Sequence, residues 1–375
     1  MYNRELLTIL KRHIGKREII ILYGARQVGK TTLLQQMAAL IPDSKIFNCE
    51  LSFVADTLES KDLSRIQALF ENNKIIMLDE AQKIMDIGSA LKLIYDELHK
   101  YQIIATGSSS FELANKVVEP LTGRNLKFKM FPLSLSEIKE KKDWLWLNQN
   151  INDLLVYGSY PGIIDLTVSE KIQKLYELSS DYLFQDILAY DNIKNPSILK
   201  KLLKALALQI GSQVSVNELS NMLGIGRVTV EKYLDLLEKS FVIISVSSLS
   251  TNLRNEIKKS KKYYFQDLGI RNAIINNFTH IDSRSDNGVL WENFCMVERI
   301  KWLNINHPYT NIYFWRTYNG AEIDLVEESD NHFKAFEFKW NKKNRKQKVP
   351  ESFAKAYNVN ELKVINPNNL HLMIA

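Results

Sequence analysis

Two cysteines in 375 residues, Cys49 and Cys295, are too few and too far apart for a disulfide framework or a paired-cysteine metal site. Long apolar runs are missing as well. No stretch approaches the roughly 20 residues a membrane helix needs, so no membrane partner is expected. The first 18 residues mix charges among their apolar positions and lack the apolar core of a secretory signal. Low-complexity tracts are absent, while apolar residues make up 45% and charged residues 25% of the chain. That balance argues against disorder and for two or three packed domains. The expectation is an ordered, reduced, cytoplasmic protein.

Excess charge of one sign is also scarce, but what there is sits in one place. The chain has 49 Lys and Arg against 43 Asp and Glu, an excess of six. Residues 195–262 contain 11 basic and 5 acidic side chains, so the remainder is balanced at 38 against 38. A local surplus of this kind is how a nucleic-acid footprint looks, and DNA is the expected partner; a solvated basic face is the plainer alternative.

Residues 18–32, EIIILYGARQVGKTT, are the most informative stretch. Residues 19–23 are apolar or aromatic and mostly β-branched, which predicts a buried strand. They run into Gly24, Ala25, Arg26, Gln27, Val28, Gly29, Lys30 and Thr31, a full match to G-x-x-x-x-G-K-[ST], with Thr32 and an apolar helical pattern after it. The two glycines let consecutive N–H groups turn toward phosphates, and the following helix adds its positive end. Lys30 is expected on the β- and γ-phosphates and Thr31 on Mg²⁺, which makes ATP and Mg²⁺ the expected ligands.

About 50 residues later, residues 74–80 read KIIMLDE, an apolar strand ending in two acids. At the C-terminal end of a parallel strand, Asp79 would hold Mg²⁺ and Glu80 would polarise the attacking water. A third buried strand, residues 102–107, ends in Ser108, Ser109 and Ser110. Arg124, in Leu121-Thr122-Gly123-Arg124, is a candidate arginine finger, in cis or from a neighbouring subunit of a homo-oligomer; a turn arginine is the alternative.

GARQVGKT, IIMLDEAQ, IATGSSS and LTGR followed by FPLSLSE, in this order, resemble the prokaryotic AAA-like ATPases that carry a C-terminal domain of unknown function 4143. The resemblance spans nearly the whole chain. It implies an α/β P-loop core with a parallel sheet, then a winged helix-turn-helix, then a restriction-nuclease-like α/β domain. It also implies a sensor residue where Ser108 stands, with Thr106 second; a helix cap by residues 108–110 is the rival reading.

The expected domains are an ATPase at 1–131, a helical connector at 132–195 with a helix over 171–189, a winged helix at 196–265 and the nuclease-like domain at 266–375. In the third, helices are expected at 198–210, 215–223 (opened by the Ser215/Glu218 capping box and closed by Gly224) and 227–239, with wing strands at 241–249 and 261–265. Arg227, Thr229 and Lys232 on the third helix, with Arg254, Lys258, Lys259, Lys261 and Lys262 along the wing, could meet DNA. A lid that binds protein is the alternative.

In the last domain a helical stretch carries Glu292, one strand carries Asp324, and another carries Glu337 and Lys339 as E-x-K, which puts the last two on one face. The order resembles the PD-(D/E)xK nucleases, although Ile323 stands where many members have proline. Asp324 and Glu337 would offer oxygen ligands to a divalent metal, Glu292 would assist, and Lys339 would orient water or steady phosphate charge. The functional expectation is a nucleotide-regulated, DNA-binding ATPase with a nuclease-like domain. The alternative is a signalling or defence switch whose rear domains bind protein or DNA without cutting.

Overall fold

A computed structural model describes residues 1–108, 121–182, 195–249, 261–340 and 348–374. The described residues fall into two compact units, the first built on residues 1–133 and the second on most of those from 134 onward.

The first unit is a five-stranded parallel sheet in the order β2-β3-β4-β1-β5. Strand β1 (Ile19–Tyr23) is the apolar run before the glycine loop, and β3 (Ile75–Asp79) ends on the first acid. Strand β4 (Gln102–Gly107) lies between them, while β2 (Ser44–Asn48) and β5 (Asn125–Lys129) form the edges. β1, β3 and β4 are buried almost throughout, as continuous apolar strands in a parallel sheet must be. A core of side chains such as Ile19, Ile21, Phe70, Leu78, Leu91 and Ile103 covers one face. Parallel sheets of this kind bind ligands at the C-terminal ends of their strands, the end at which the glycine loop follows β1. Helix α1 (Glu5–Lys11) precedes the sheet and α2 (Lys30–Ala38) leaves the glycine loop; α3 (Ser52–Glu59), α4 (Leu63–Phe70) and α5 (Ile87–Glu97) follow.

The second unit opens with α6 (Leu135–Tyr157), started by a capping box between Ser134 and Glu137, and α7 (Val168–Glu177). The helix expected over 171–189 continues from α7 as a wider turn over Leu178–Tyr182, and its remainder lies outside the described residues. Helices α8 (Pro196–Leu208), α9 (Val216–Leu223) and α10 (Arg227–Lys239) follow, near the bounds read from the sequence. Gly224 ends α9 at φ +66°, a conformation that favours glycine.

The strands expected to form a wing do something else. With the short strand β6 (Gln213–Val214), β7 (Ile243–Ser248) and β8 (Lys261–Phe265) belong to a seven-stranded sheet, β12-β11-β10-β9-β7-β8-β6, that runs without a break into the last domain. β7 pairs parallel with β9 (Asn311–Arg316) through Ser247 opposite Tyr313, so the expected boundary at 265/266 cuts through one sheet. The reason is burial: Tyr263, Tyr264 and Phe265 are all core residues, which a solvent-exposed wing could not accommodate. β10 (Glu322–Ser329) and β11 (His332–Phe338) form a hairpin, and β12 (Leu362–Ile365), reached through α13 (Glu351–Tyr357), extends the sheet parallel to β11. Between β8 and β9 run α11 (Leu268–Ile274) and α12 (Asn287–Asn306). No described helix is long and apolar enough to cross a membrane.

Candidate functional site

The loop between β1 and α2 has the shape its glycines allow. A Cβ on residue 24 would lie 2.2 Å from the Met130 carbonyl oxygen, so only glycine fits where β1 ends beside β5. Gln27 at φ 59° and Gly29 at φ +99° are left-handed on either side of Val28, an alternation that turns successive N–H groups inward. Ala25 and Val28 are buried, Arg26 is half-buried, and Thr31 and Thr32 belong to the first turn of α2. The Lys30 ammonium, 4% exposed, lies across the loop and donates to the carbonyls of Gly24 (3.0 Å) and Ala25 (2.9 Å).

Strand order then decides what faces this loop. Because β4 separates β1 from β3, the end of β4 lies alongside Asp79. Thr31 Oγ1 donates to Asp79 Oδ2 at 2.7 Å, and Thr106 Oγ1 donates to Asp79 Oδ1 at 2.6 Å. Thr106 also accepts the Glu80 N–H at 3.1 Å. Glu80 itself is left-handed, φ 54° and ψ 42°, an uncommon conformation for a carboxylate residue, and its side chain accepts from the Gln82 amide. Thr31 and Asp79 present hard oxygen donors side by side, the donor chemistry that Mg²⁺ takes. Cys49, on the neighbouring strand end, donates its N–H to the Asp79 carbonyl. Burial, then the charges of Asp79 and Glu80, push its thiol up to about 12, so it is an inert apolar filler.

A second set of charges gathers in the second unit. Asp324 on β10 and Glu337 on β11 are the chain neighbours of Leu325 and Phe336, which pair across the two strands. Asp324 Oδ2 accepts the Phe338 N–H at 2.7 Å, and Glu337 is paired with Lys339 at 2.5 Å. Burial, then the negative charges of Glu292 and Glu337, hold the Asp324 carboxyl well above the usual carboxylate range. Glu292 on α12 accepts from Lys262 (3.0 Å) and from the Tyr264 hydroxyl (2.8 Å), both on β8. Lys262 also reaches Glu322 at 2.7 Å. It is 3% exposed, and although burial works against its charge, Glu292 and Glu322 raise it above an ordinary lysine.

The family comparisons follow this division. Residues 16–139 match the family described as AAA domain, 148–280 a domain of unknown function (DUF8612), and 287–373 a domain of unknown function (DUF4143). The chain joins an AAA-type P-loop ATPase domain to a C-terminal DUF4143 domain. Among relatives, an uncharacterized protein of Mycobacterium tuberculosis is 26% identical over 342 residues, covering 90% of this chain and 74% of its own. One from Haemophilus influenzae is 26% identical over 280 residues, 68% of this chain and 69% of its own. The Walker-type ATPase paby2304 of Pyrococcus abyssi shares the fold, with TM-score 0.50 and 16% identity over 73% of this chain and 96% of that one.

Several residues of this AAA-type chain stand elsewhere than the sequence suggests. Arg124 precedes β5, whose first residue Asn125 pairs with Ile19, at the N-terminal end of the sheet, opposite the phosphate loop. Its Nε donates to Asp96 at 3.0 Å, so a finger role within its own nucleotide site is excluded by position. Ser108 is fully buried just beyond β4, but the bonds to Asp79 and Glu80 are made by Thr106, two residues earlier. Ser109 and Ser110, the rest of the alternative helix cap, lie outside the described residues. Lys262, expected on a DNA-facing wing, is buried against acids; Arg254, Lys258 and Lys259 lie outside the described residues. The expected metal set of Asp324, Glu337 and Glu292 does not form one: among the described residues, no three His, Cys, Asp or Glu side chains are arranged to hold an ion. Lys262 pairs with Glu292 and Lys339 with Glu337 instead, while Asp324 accepts the Phe338 N–H.

Arg4 gave no signal in the sequence. It is 8% exposed ahead of α1 and donates to the carbonyls of Val28 (2.5 Å) and Phe131 (2.6 Å). It braces the phosphate loop from behind.

Proposed function

We propose that this protein is a Mg²⁺-dependent ATP hydrolase whose nucleotide state regulates DNA binding by its second unit. The observation that carries the ATPase part is the Thr31–Asp79–Thr106 chain of hydroxyl–carboxylate bonds beneath the glycine loop. Lys30 leaves its two loop carbonyls for the β- and γ-phosphates, and the N–H groups of residues 24–31 cradle the rest. Thr31 and Asp79 hold Mg²⁺, which when bound supplies positive charge to the phosphate oxygens. Glu80 takes the proton of the attacking water, and Ser108 is assigned the contact to the γ-phosphate or that water.

The DNA part rests on the basic surplus of residues 195–262, of which Lys200, Lys201, Lys204, Arg227, Lys232 and Lys261 are exposed in the second unit. Lys30→Ala is expected to abolish ATP binding, and Glu80→Gln to keep binding but lose turnover by roughly 10²-fold or more. Wild-type turnover in Glu80→Gln sinks the hydrolysis assignment. Replacing Arg227, Lys232 and Lys261 with glutamine should weaken duplex binding and lower its salt slope by about 0.9 for each phosphate no longer neutralised.

One observation favours a second reading, a switch that docks protein. Helices α8, α9 and α10 each expose a large apolar side chain: Leu208 at 64%, Met222 at 53% and Val228 at 78%. Absence of salt-dependent DNA retention in the wild type would favour that reading over the first.

A further inference from the structure

The acid cluster of the second unit holds a cation already, and that cation is part of the chain. Lys262 sits on β8 with its backbone paired on both sides, to Val246 of β7 and Gln213 of β6. Its ammonium lies 3.0 Å from Glu292 Oε1 and 2.7 Å from Glu322 Oε1, and the side chain is 3% exposed. The same Glu292 oxygen accepts the Tyr264 hydroxyl, and a Cβ on Gly211 would lie 3.4 Å from both Glu292 carboxylate oxygens. Glu292 is thus walled in by an ammonium, a hydroxyl and a glycine backbone.

The remaining acids are committed as well. Asp324 accepts a backbone N–H, Glu337 pairs with Lys339, and Glu322 has Arg316 at 3.8 Å in addition to Lys262. Glu337 Oε2 is buried without a hydrogen-bond partner, but it is a single donor oxygen. Mg²⁺ demands octahedral oxygen coordination and keeps several waters. Seating it against Glu292 would put a divalent cation beside the buried Lys262 ammonium, and like charges at that range disfavour each other strongly in a buried site.

We propose that Lys262 is the cation of this acid cluster, neutralising Glu292 and Glu322 in place of a divalent metal. The site is thereby closed to Mg²⁺ and Mn²⁺, and the domain engages its partners without metal-dependent cutting. Three N–H donors on one ammonium tie β8, α12 and β10 together without coordination chemistry. Of the four acids, Glu292, Glu322 and Glu337 are paired with Lys262, Arg316 and Lys339, and Asp324 accepts a backbone N–H.

The test uses the whole chain without nucleotide and with Asp79→Asn in every protein compared, wild type at the cluster included, so that the phosphate loop contributes no carboxylate to a cation, and reads Mn²⁺ binding by electron paramagnetic resonance and by thermal shift. Wild type is expected to bind no Mn²⁺ at millimolar concentration and to show no rise in Tm. Lys262→Met should melt lower without metal and bind Mn²⁺ at least ~10-fold more tightly than wild type, the like charge being gone. Adding Glu292→Gln should remove that gain. If wild type binds Mn²⁺ and Asp324→Asn abolishes it, the proposal is overturned. It is equally overturned if folded Lys262→Met binds no better than wild type, because the lysine would then not be what excludes the ion. Should Lys262→Met fail to fold, Lys262→Gln, which keeps most of the side-chain length, serves the same comparison. The wild-type titration decides the first half by itself.

Discussion

Thr106 and Asp79 are joined by a 2.6 Å hydrogen bond between strands β4 and β3, and the same threonine oxygen receives the Glu80 N–H. One hydroxyl therefore sets both the carboxylate that faces Thr31 and the backbone of the residue assigned as base. Glu80 sits in a left-handed conformation that its own side chain does not favour, and the Thr106 contact helps to hold it there.

Removing that hydroxyl with nearly unchanged volume separates its role from packing. Thr106→Val leaves a buried acceptor and a buried N–H without their partner, at about 1–3 kcal/mol for each. We expect turnover to fall at least ~10-fold with ATP affinity little changed, and Thr106→Ser to restore most of it. Single-turnover hydrolysis beside nucleotide titration checks this. A silent Thr106→Val together with an inactive Ser108→Ala would move the role to Ser108.

Arg4 is expected to act on binding rather than chemistry. Arg4→Met keeps the apolar stem but drops both hydrogen bonds, to the carbonyls of Val28 and Phe131. The loop is then without a charge-assisted brace of about 1.5–3 kcal/mol, part of which appears as weaker ATP binding. The expected result is a higher Kd for ATP with kcat preserved once saturated. An unchanged Kd would show that the loop holds its shape without α1.

Arg124→Ala should leave each protein's ATPase rate intact. The ion pair with Asp96 is about one-third exposed on both sides, so its removal costs no more than about 1 kcal/mol. A large fall in turnover in folded Arg124→Ala, rescued by mixing with Lys30→Ala protein, would instead establish a finger acting from a neighbouring copy.

Asp286 gives a pH dependence with a definite sign. Burial alone would raise its carboxyl, but hydrogen bonds from Arg284 and Arg271 outweigh this and hold it at about 2, against 3.8 for an ordinary aspartate. A depressed carboxylate stabilises the fold fully above its unfolded value and loses that contribution as pH falls toward the folded one. The displacement corresponds to about 2 kcal/mol at neutral pH. Asp286→Asn should cost at least that at pH 7, since two arginines 2% exposed lose their partner. The gap to wild type should narrow between about pH 4 and pH 2 in denaturant titrations. A constant gap across that range would mean the carboxylate is not ionised in the fold.

The glycine loop and the acid-ended strand were legible because their chemistry is local. Backbone N–H groups, a lysine and a threonine within eight consecutive residues make a phosphate cradle wherever a strand precedes and a helix follows. Helices α8 to α10 were legible for a similar reason, through apolar spacing, the Ser215 cap and Gly224. Four things depended on how distant segments meet. Placing β4 between β1 and β3 made Thr106 the residue that touches Asp79. Starting β5 level with Ile19 sent Arg124 to the far end of the sheet. Folding the end of β5 and α1 against the loop gave Arg4 its two carbonyls. Joining β8 to the sheet of the last domain turned Lys262 from an apparent DNA contact into the buried partner of Glu292 and Glu322. A lysine in sequence is only a charge on a tether; which acids it neutralises is set by strand order and burial, and these exist only in the folded chain.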